Sequence, residues 1–215
     1  MEKTVLVTGF DPFGGDEVNP SLEAVKRLEG VVVDGVRVTS LGIPTVFGHS
    51  RRVLTEGIEE IRPHIVIGVG QAGGRARMTP ERIAINVDDA RIPDNIGRQP
   101  VDEPVEVDGP AAYWSTLPVK RMVQRMREAG VPAAVSHSAG TFVCNHLFYG
   151  LMHDLSRAGS NIRGGFIHIP YLPEQTVHRE APSMSLEMIV DGLKAAIAAV
   201  AEEGEDVKEV GGALC

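Results

Sequence analysis

Cys144 stands in SAGTFVCNHLFYGLMHDL, residues 138–155, where an irregular Ser/Gly/Thr stretch gives way to a helical pattern. Backbone N–H groups and the positive end of the helix dipole stabilise a thiolate at such a position. A lone cysteine is commonly a buried apolar filler, and from Cys144 alone the inert reading is the better one. A thiol nucleophile needs a base, usually histidine, and the base needs a group to orient it. Of the seven histidines, His168 lies in GFIHIP, apolar on both sides and close to the end of a strand pattern. Functional groups of α/β sheets are displayed there. Spacing alone leaves His168 balanced between a base and a hydrogen-bonded core histidine. His146, His153 and His178 read as solvated helix or loop residues, and His49 and His64 border apolar segments without a clear role. Glu81 opens ERIAIN, but it is one of 29 acidic residues and by itself reads as a solvated charge.

Two other motifs invite chemistry. The CNH of residues 144–146 suggests a metal pair, but no third and fourth ligands occur at suitable spacing, so no metal is expected. GVGQAG, residues 68–73, satisfies a dinucleotide-binding fingerprint directly after the strand pattern HIVI. That fingerprint requires a helix to begin at the glycines. The chain continues instead as GRARMTPERIAIN, with Pro80 and then strand alternation, so the plain reading is a Gly-rich turn at a strand end without an anion-binding helix terminus.

The elements that must position these residues are legible as alternating strands and helices. TVLVTGF reads as a buried strand, and NPSLEAVKRLEG as a helix with Asn19 at the N-cap, Pro20 at N1 and Gly30 past its end. VVVDGVRVTSLGI reads as strand, TVFGHSRRVLTEGIEEI as a helix stopped by Pro63, and HIVIGVG as a strand buried on both faces. ERIAINVDDA alternates as a strand. Residues 91–109 read as a long loop with one short strand at VEVD, succeeded by a helix over 117–129 and a strand at AAVSHS. The helix at Cys144, the strand GFIHIP and a long helix from SMSLEMIV onward complete the pattern. This predicts an α/β fold: a single-domain three-layer α/β/α sandwich over residues 1–203 with a mainly parallel, mixed and twisted central sheet. The acidic residues 204–215 read as a solvated, flexible tail.

Composition narrows the function further. The 215 residues are 43% hydrophobic and carry a formal net charge of −8, which leaves no basic field for nucleic acid or an anionic membrane surface. No apolar run approaches the ~20 residues needed to cross a bilayer, and the start shows no secretory signal. A cytosolic location is expected, with Cys144 and Cys215 as free thiols.

Taken together, GFDPFGG, GQAGGRARMTPERIAIN, DNIGRQP, SHSAGTFVCNHLFYGLMH and GFIHIPYLPEQ resemble the blocks of the pyroglutamyl-peptidase I family of cysteine peptidases, also called pyrrolidone-carboxylate peptidases. The resemblance runs from the first strand to the last long helix, with Met78 standing where a branched aliphatic residue is expected. It implies Glu81, Cys144 and His168 as the catalytic residues. It also implies Arg91, with the Cys144 backbone N–H, as stabiliser of the oxyanion, and a pyroglutamyl pocket of Phe10, Phe13, Gln71, Ile92, Phe142 and Val143. The implied substrates are pyroglutamyl peptides, without a cofactor, and the implied assembly is a homotetramer. A nicotinamide-dependent oxidoreductase using GVGQAG and a non-catalytic α/β binding module with an inert Cys144 are the alternatives.

Overall fold

The computed structural model describes residues 3–202 and 204–212. Its central sheet has six strands in the order β2 (Val32–Val33), β3 (Val36–Ile43), β1 (Lys3–Phe10), β4 (Ile65–Gln71), β8 (Arg163–Ile169) and β5 (Thr79–Pro80). The inner strands β3, β1, β4 and β8 are parallel, and the edge strands β2 and β5 run antiparallel to their neighbours. Period-2 alternation divides the apolar side chains between two cores. Val5, Val7, Ile65, Ile67, Val69, Ile167 and Ile169 face α1 (Pro20–Lys26), α3 (Val119–Glu128) and α5 (Leu186–Ala201). Leu6, Val66 and Phe166 face α2 (His49–Ile61) and α4 (Val143–Arg157). The expected three-layer α/β/α arrangement is therefore present.

Local chemistry sets several boundaries as anticipated. Asn19 caps α1 by accepting the Ser21 N–H, with Pro20 in the first turn. Every residue of β4 is buried, as an inner parallel strand requires. Two expectations need correction. VEVD is not a strand: the Asn86 side chain takes both the Glu106 N–H and the Glu106 carbonyl, which folds residues 105–109 as a loop. The partner of β6 (Ile83–Ile85) is instead β7 (Ala112–Trp114), in a separate two-stranded sheet. AAVSHS does not form a continuous strand either. It runs parallel to residues 78–82, with Ala134 N donating to Met78 O and Ser136 N to Pro80 O, but only isolated bridges result. The donor between them would be residue 80, a proline without an N–H.

The acidic segment after α5 is tied to the fold at the start of α3 and again where Arg82 donates to Gly211 O. Pro118 gives α3 no side-chain cap, and the Asp206 carboxylate takes its place by accepting the N–H groups of Lys120 and Arg121 at 3.0 and 2.9 Å. Cys215 lies outside the described residues. No described helix is long and apolar enough to cross a membrane.

Candidate active site

The strand register brings the chemistry together. β5 pairs antiparallel to β8 with Thr79 opposite His168, and the Glu81 N–H donates to Phe166 O at 2.8 Å. Glu81 Oε1 consequently lies 2.7 Å from His168 Nδ1, with both side chains buried. Across the other edge of β8, Gly70 is the register partner of His168, so their side-chain positions share the face covered by α4. A Cβ on Gly70 would come within 2.8 Å of Cys144 Sγ. Glycine is required at this position so that the sulfur, at the start of α4, can lie over the sheet beside the imidazole.

The three residues of CNH each hold part of this arrangement. Cys144 is the second residue of α4, whose N-cap Phe142 provides no side-chain acceptor, so the first-turn amides carry no cap. Asn145 is wholly buried; its Oδ1 accepts the Ile85 N–H and its Nδ2 donates to Ile85 O and Val87 O, tying the segment after Glu81 to α4. His146 is buried as well, which corrects the reading of it as a solvated helix residue. Its Nδ1 lies 2.8 Å from Asp88 Oδ2, and its Nε2 accepts the Gly48 N–H at 2.9 Å, so both ring nitrogens have protein partners. His153 is also largely enclosed, with Nδ1 3.1 Å from the Tyr113 hydroxyl.

The ionisation states depend on burial and on the charges nearby. Burial pushes the Cys144 thiol up to about 12, and the Glu81 charge adds to this while Arg75 opposes it. Burial also holds His168 below the usual imidazole range, against the hydrogen bond and charge of Glu81. For Glu81 burial acts to raise the value, but the bond to His168 and the charges of His168 and Arg75 outweigh it and keep the carboxyl below its usual range. These directions favour a neutral thiol, a neutral imidazole and an ionised carboxylate in the resting site.

The residues expected around the ring pocket divide into two groups. Phe13 and Phe142 are half-buried with ring centroids 5.9 Å apart, and Ile92 is 41% exposed beside the Gly14 turn. Phe10 and Val143 are fully buried; Phe10 packs on Phe166 from within the core. Gln71 is buried at the end of β4, where its Oε1 accepts from Gln175 Nε2 at 2.9 Å, which leaves its backbone as the group to meet a ligand. Arg91 projects into solvent with no hydrogen bond or ion pair among the described residues. Of the aspartates that follow Glu81 in the chain, Asp88 serves His146, Asp94 accepts the N–H groups of Phe47, Ile96 and Arg98, and Asp89 is exposed. Two contributors escape sequence reading. Phe47 sets its ring edge-on to Phe142 at 5.4 Å, and Arg75 binds Glu81. Arg75 lies in the same GQAGGRARMTPERIAIN block as Glu81, the one signal that could have drawn attention to it.

The GVGQAG turn is not a nucleotide site. Residue 74 has φ +92°, the chain turns back at Arg75, and β5 rather than a helix comes next. A cysteine at a helix start, a histidine–carboxylate pair beside it and a parallel α/β scaffold define a cysteine hydrolase. The family model for pyroglutamyl peptidase matches residues 3–203, and the chain belongs to that family. It is 61% identical to a pyrrolidone-carboxylate peptidase of Bacillus licheniformis and 58% to one of Bacillus subtilis, over the full length of both chains in each case. The crystal structure of pyroglutamyl peptidase I from Bacillus amyloliquefaciens superposes with a TM-score of 0.96 at 57% identity, covering 98% of this chain and 100% of that one. The pyrrolidone carboxyl peptidase of Thermococcus litoralis gives 0.93 at 38% identity, covering 97% and 99%.

Proposed function

We propose that this chain is a cysteine exopeptidase that hydrolyses the amide bond after an N-terminal pyroglutamyl residue, with Cys144 as nucleophile, His168 as base and Glu81 as its orienting partner. The observation that carries the reading is the shared face of β4 and β8, on which Cys144 Sγ lies over Gly70 beside an imidazole held by a buried carboxylate. Because Nδ1 donates to Glu81, Nε2 is the lone-pair nitrogen. Nε2 takes the thiol proton as sulfur attacks the pyroglutamyl carbonyl carbon, giving a tetrahedral oxyanion and an imidazolium whose Nδ1–H stays bonded to Glu81. The uncapped Cys144 N–H stabilises the oxyanion, with Arg91 as the second donor. Collapse breaks the C–N bond, the imidazolium gives its proton to the departing amine, and a thioester remains. His168 then deprotonates a water that attacks the thioester, releasing pyroglutamate and restoring the thiol.

The ring pocket obeys the same logic. Phe13, Phe142 and Ile92 form the face that meets the flat, uncharged lactam ring, Phe10 and Val143 support it from the core, and Gln71 backbone groups serve the lactam. The working form is a homotetramer in the reducing cytosol, in line with the family resemblance and with a free thiol as nucleophile. The test compares matched pyroglutamyl and prolyl chromogenic amides. Proline has the shape of pyroglutamate but carries a cation, for which this pocket offers no partner, and rejection by roughly 10⁴-fold in kcat/KM is expected. Thiol alkylation abolishes the cleavage and chelators leave it unchanged. Comparable rates on the two amides, or activity that survives alkylation, refute the assignment.

A further inference from the structure

Arg75 occupies the turn after β4. Its guanidinium reaches three elements: Nη1 lies 2.6 Å from Glu81 Oε1 and 2.6 Å from Thr79 Oγ1 on β5, and Nη2 lies 2.9 Å from Ser138 O in the approach to α4. Thr79 is the register partner of His168, and its hydroxyl lies 3.4 Å from His168 O. One side chain thus spans the carboxylate, the strand facing the imidazole and the segment that delivers the nucleophile. The turn is built for it. Gly74 takes a left-handed φ, and a Cβ on Gly73 would collide with the Tyr171 ring and hydroxyl, so only glycines allow the chain to double back here.

We propose that Arg75 is a positioning residue that keeps Glu81 ionised and turned toward His168, so that the imidazole remains a free base beside the neutral thiol. The inference rests on the roles of Cys144, His168 and Glu81 in the proposed peptidase reaction. Glu81 is wholly buried, and a buried carboxylate without a countercharge is strongly unfavourable. With His168 as its only charged partner, the pair would relieve that charge by holding a proton on the imidazole, and a protonated imidazole cannot accept the proton of Cys144. Arg75 supplies the countercharge permanently, because guanidinium does not titrate in this range. Glu81 and Arg75 then cancel both before and after proton transfer, and the transfer creates only the thiolate–imidazolium pair. Among the described residues the charged and titratable groups facing His168 are Glu81, Arg75 and Cys144; the adjoining Phe166 ring, 4.9 Å away, carries no charge. In keeping with this, Arg75 draws down the proton affinity of all three reacting groups.

The test tracks the rate of Cys144 alkylation by iodoacetamide against pH in the parent, Arg75→Gln and Arg75→Lys, read by mass spectrometry of the Cys144 peptide, with kcat/KM profiles on a pyroglutamyl amide alongside. In Arg75→Gln the acid limb of both profiles is expected to move up by about one pH unit, so that alkylation on that limb slows about ten-fold. Lys restores most of the shift. A purely structural Arg75 would lower rates by one factor at every pH and leave the limb in place. That result, or a Lys variant displaced as far as Gln, overturns the proposal. Only folded enzyme turns over, so the position of the kcat/KM limb does not depend on how much of the variant is folded, and partial misfolding does not obscure that profile. Alkylation needs no peptide, so a failure of the pyroglutamyl reading would appear as absent cleavage with the alkylation profiles intact.

Discussion

Two buried histidine–carboxylate pairs flank the start of α4, and they differ at the ring nitrogen that faces away from the acid. His168 meets Glu81 at 2.7 Å and His146 meets Asp88 at 2.8 Å, each through Nδ1. The Nε2 of His146 accepts the Gly48 N–H, so that ring is a tie between α4, the Asp88 segment and the start of α2. The Nε2 of His168 makes no hydrogen bond among the described residues, and Cys144 lies beside it over Gly70. The acids differ too. Glu81 shares its oxygen with Arg75, whereas Asp88 forms no ion pair among the described residues other than the one with its histidine. A dyad by itself is therefore not a site. It becomes one when a nitrogen is left unspent, a nucleophile is set beside it and the carboxylate is kept charged.

The largest effect expected from this contrast is on turnover. Cys144→Ala and His168→Ala should each lower kcat by about 10⁴-fold or more with the fold retained, while His146→Ala stays within a few-fold of the parent and Cys215→Ser is without effect. Steady-state kinetics with circular dichroism decides this, and equal losses in the two histidine variants would erase the distinction between the pairs. Next come the acids. Glu81→Gln should reduce kcat by about 10³–10⁴-fold with little change in KM, by analogy with loss of a triad carboxylate. Asp88→Asn should act on stability, costing about 1–3 kcal/mol in denaturant unfolding, because it weakens a buried hydrogen bond. A Glu81→Gln enzyme close to the parent in kcat would make Glu81 structural.

The pH dependence sharpens the comparison. Burial depresses His168 below its ordinary 6.5, so the acid limb of kcat/KM should fall below pH 6.5. The sign for folding is the same: the unfolded chain binds this proton more tightly, so the stability contribution is complete above pH 6.5 and is lost as pH falls through the folded value. Glu81, also depressed, adds its own loss below its ordinary 4.5. Melting temperatures from pH 8 to pH 4 test this, and a midpoint that rises on acidification would contradict it. The smallest expected effect separates the pocket surface from its support. Phe13→Ala should raise KM on pyroglutamyl amides by a few-fold to about ten-fold, the loss of one aromatic contact. Phe10→Ala should instead destabilise the fold by about 3–5 kcal/mol. If Phe10→Ala changes KM alone, the division of the pocket residues is wrong.

What could be read from the sequence was whatever depends on neighbours along the chain. The cap of α1 at Asn19 and Pro20, the all-buried run of β4, the turn character of GVGQAG and the placement of Cys144 at a helix start are consequences of residue type over a few positions. They were legible because propensity, capping and periodicity act over one or two turns. Glu81 could be singled out only through the family resemblance, since its link to His168 spans 87 residues and nothing local marks one acid among 29. The enclosure of His146, the edge-on packing of Phe47, the clamp of Arg75 and the fragmenting of AAVSHS beside Pro80 were decided by tertiary structure alone. Each depends on which segments the β5–β8 register and the α4 packing bring within hydrogen-bond or ring contact. The ionisation of the site depends on it as well: burial favours the uncharged thiol and imidazole, and desolvation is a property of the assembled core rather than of any stretch of chain.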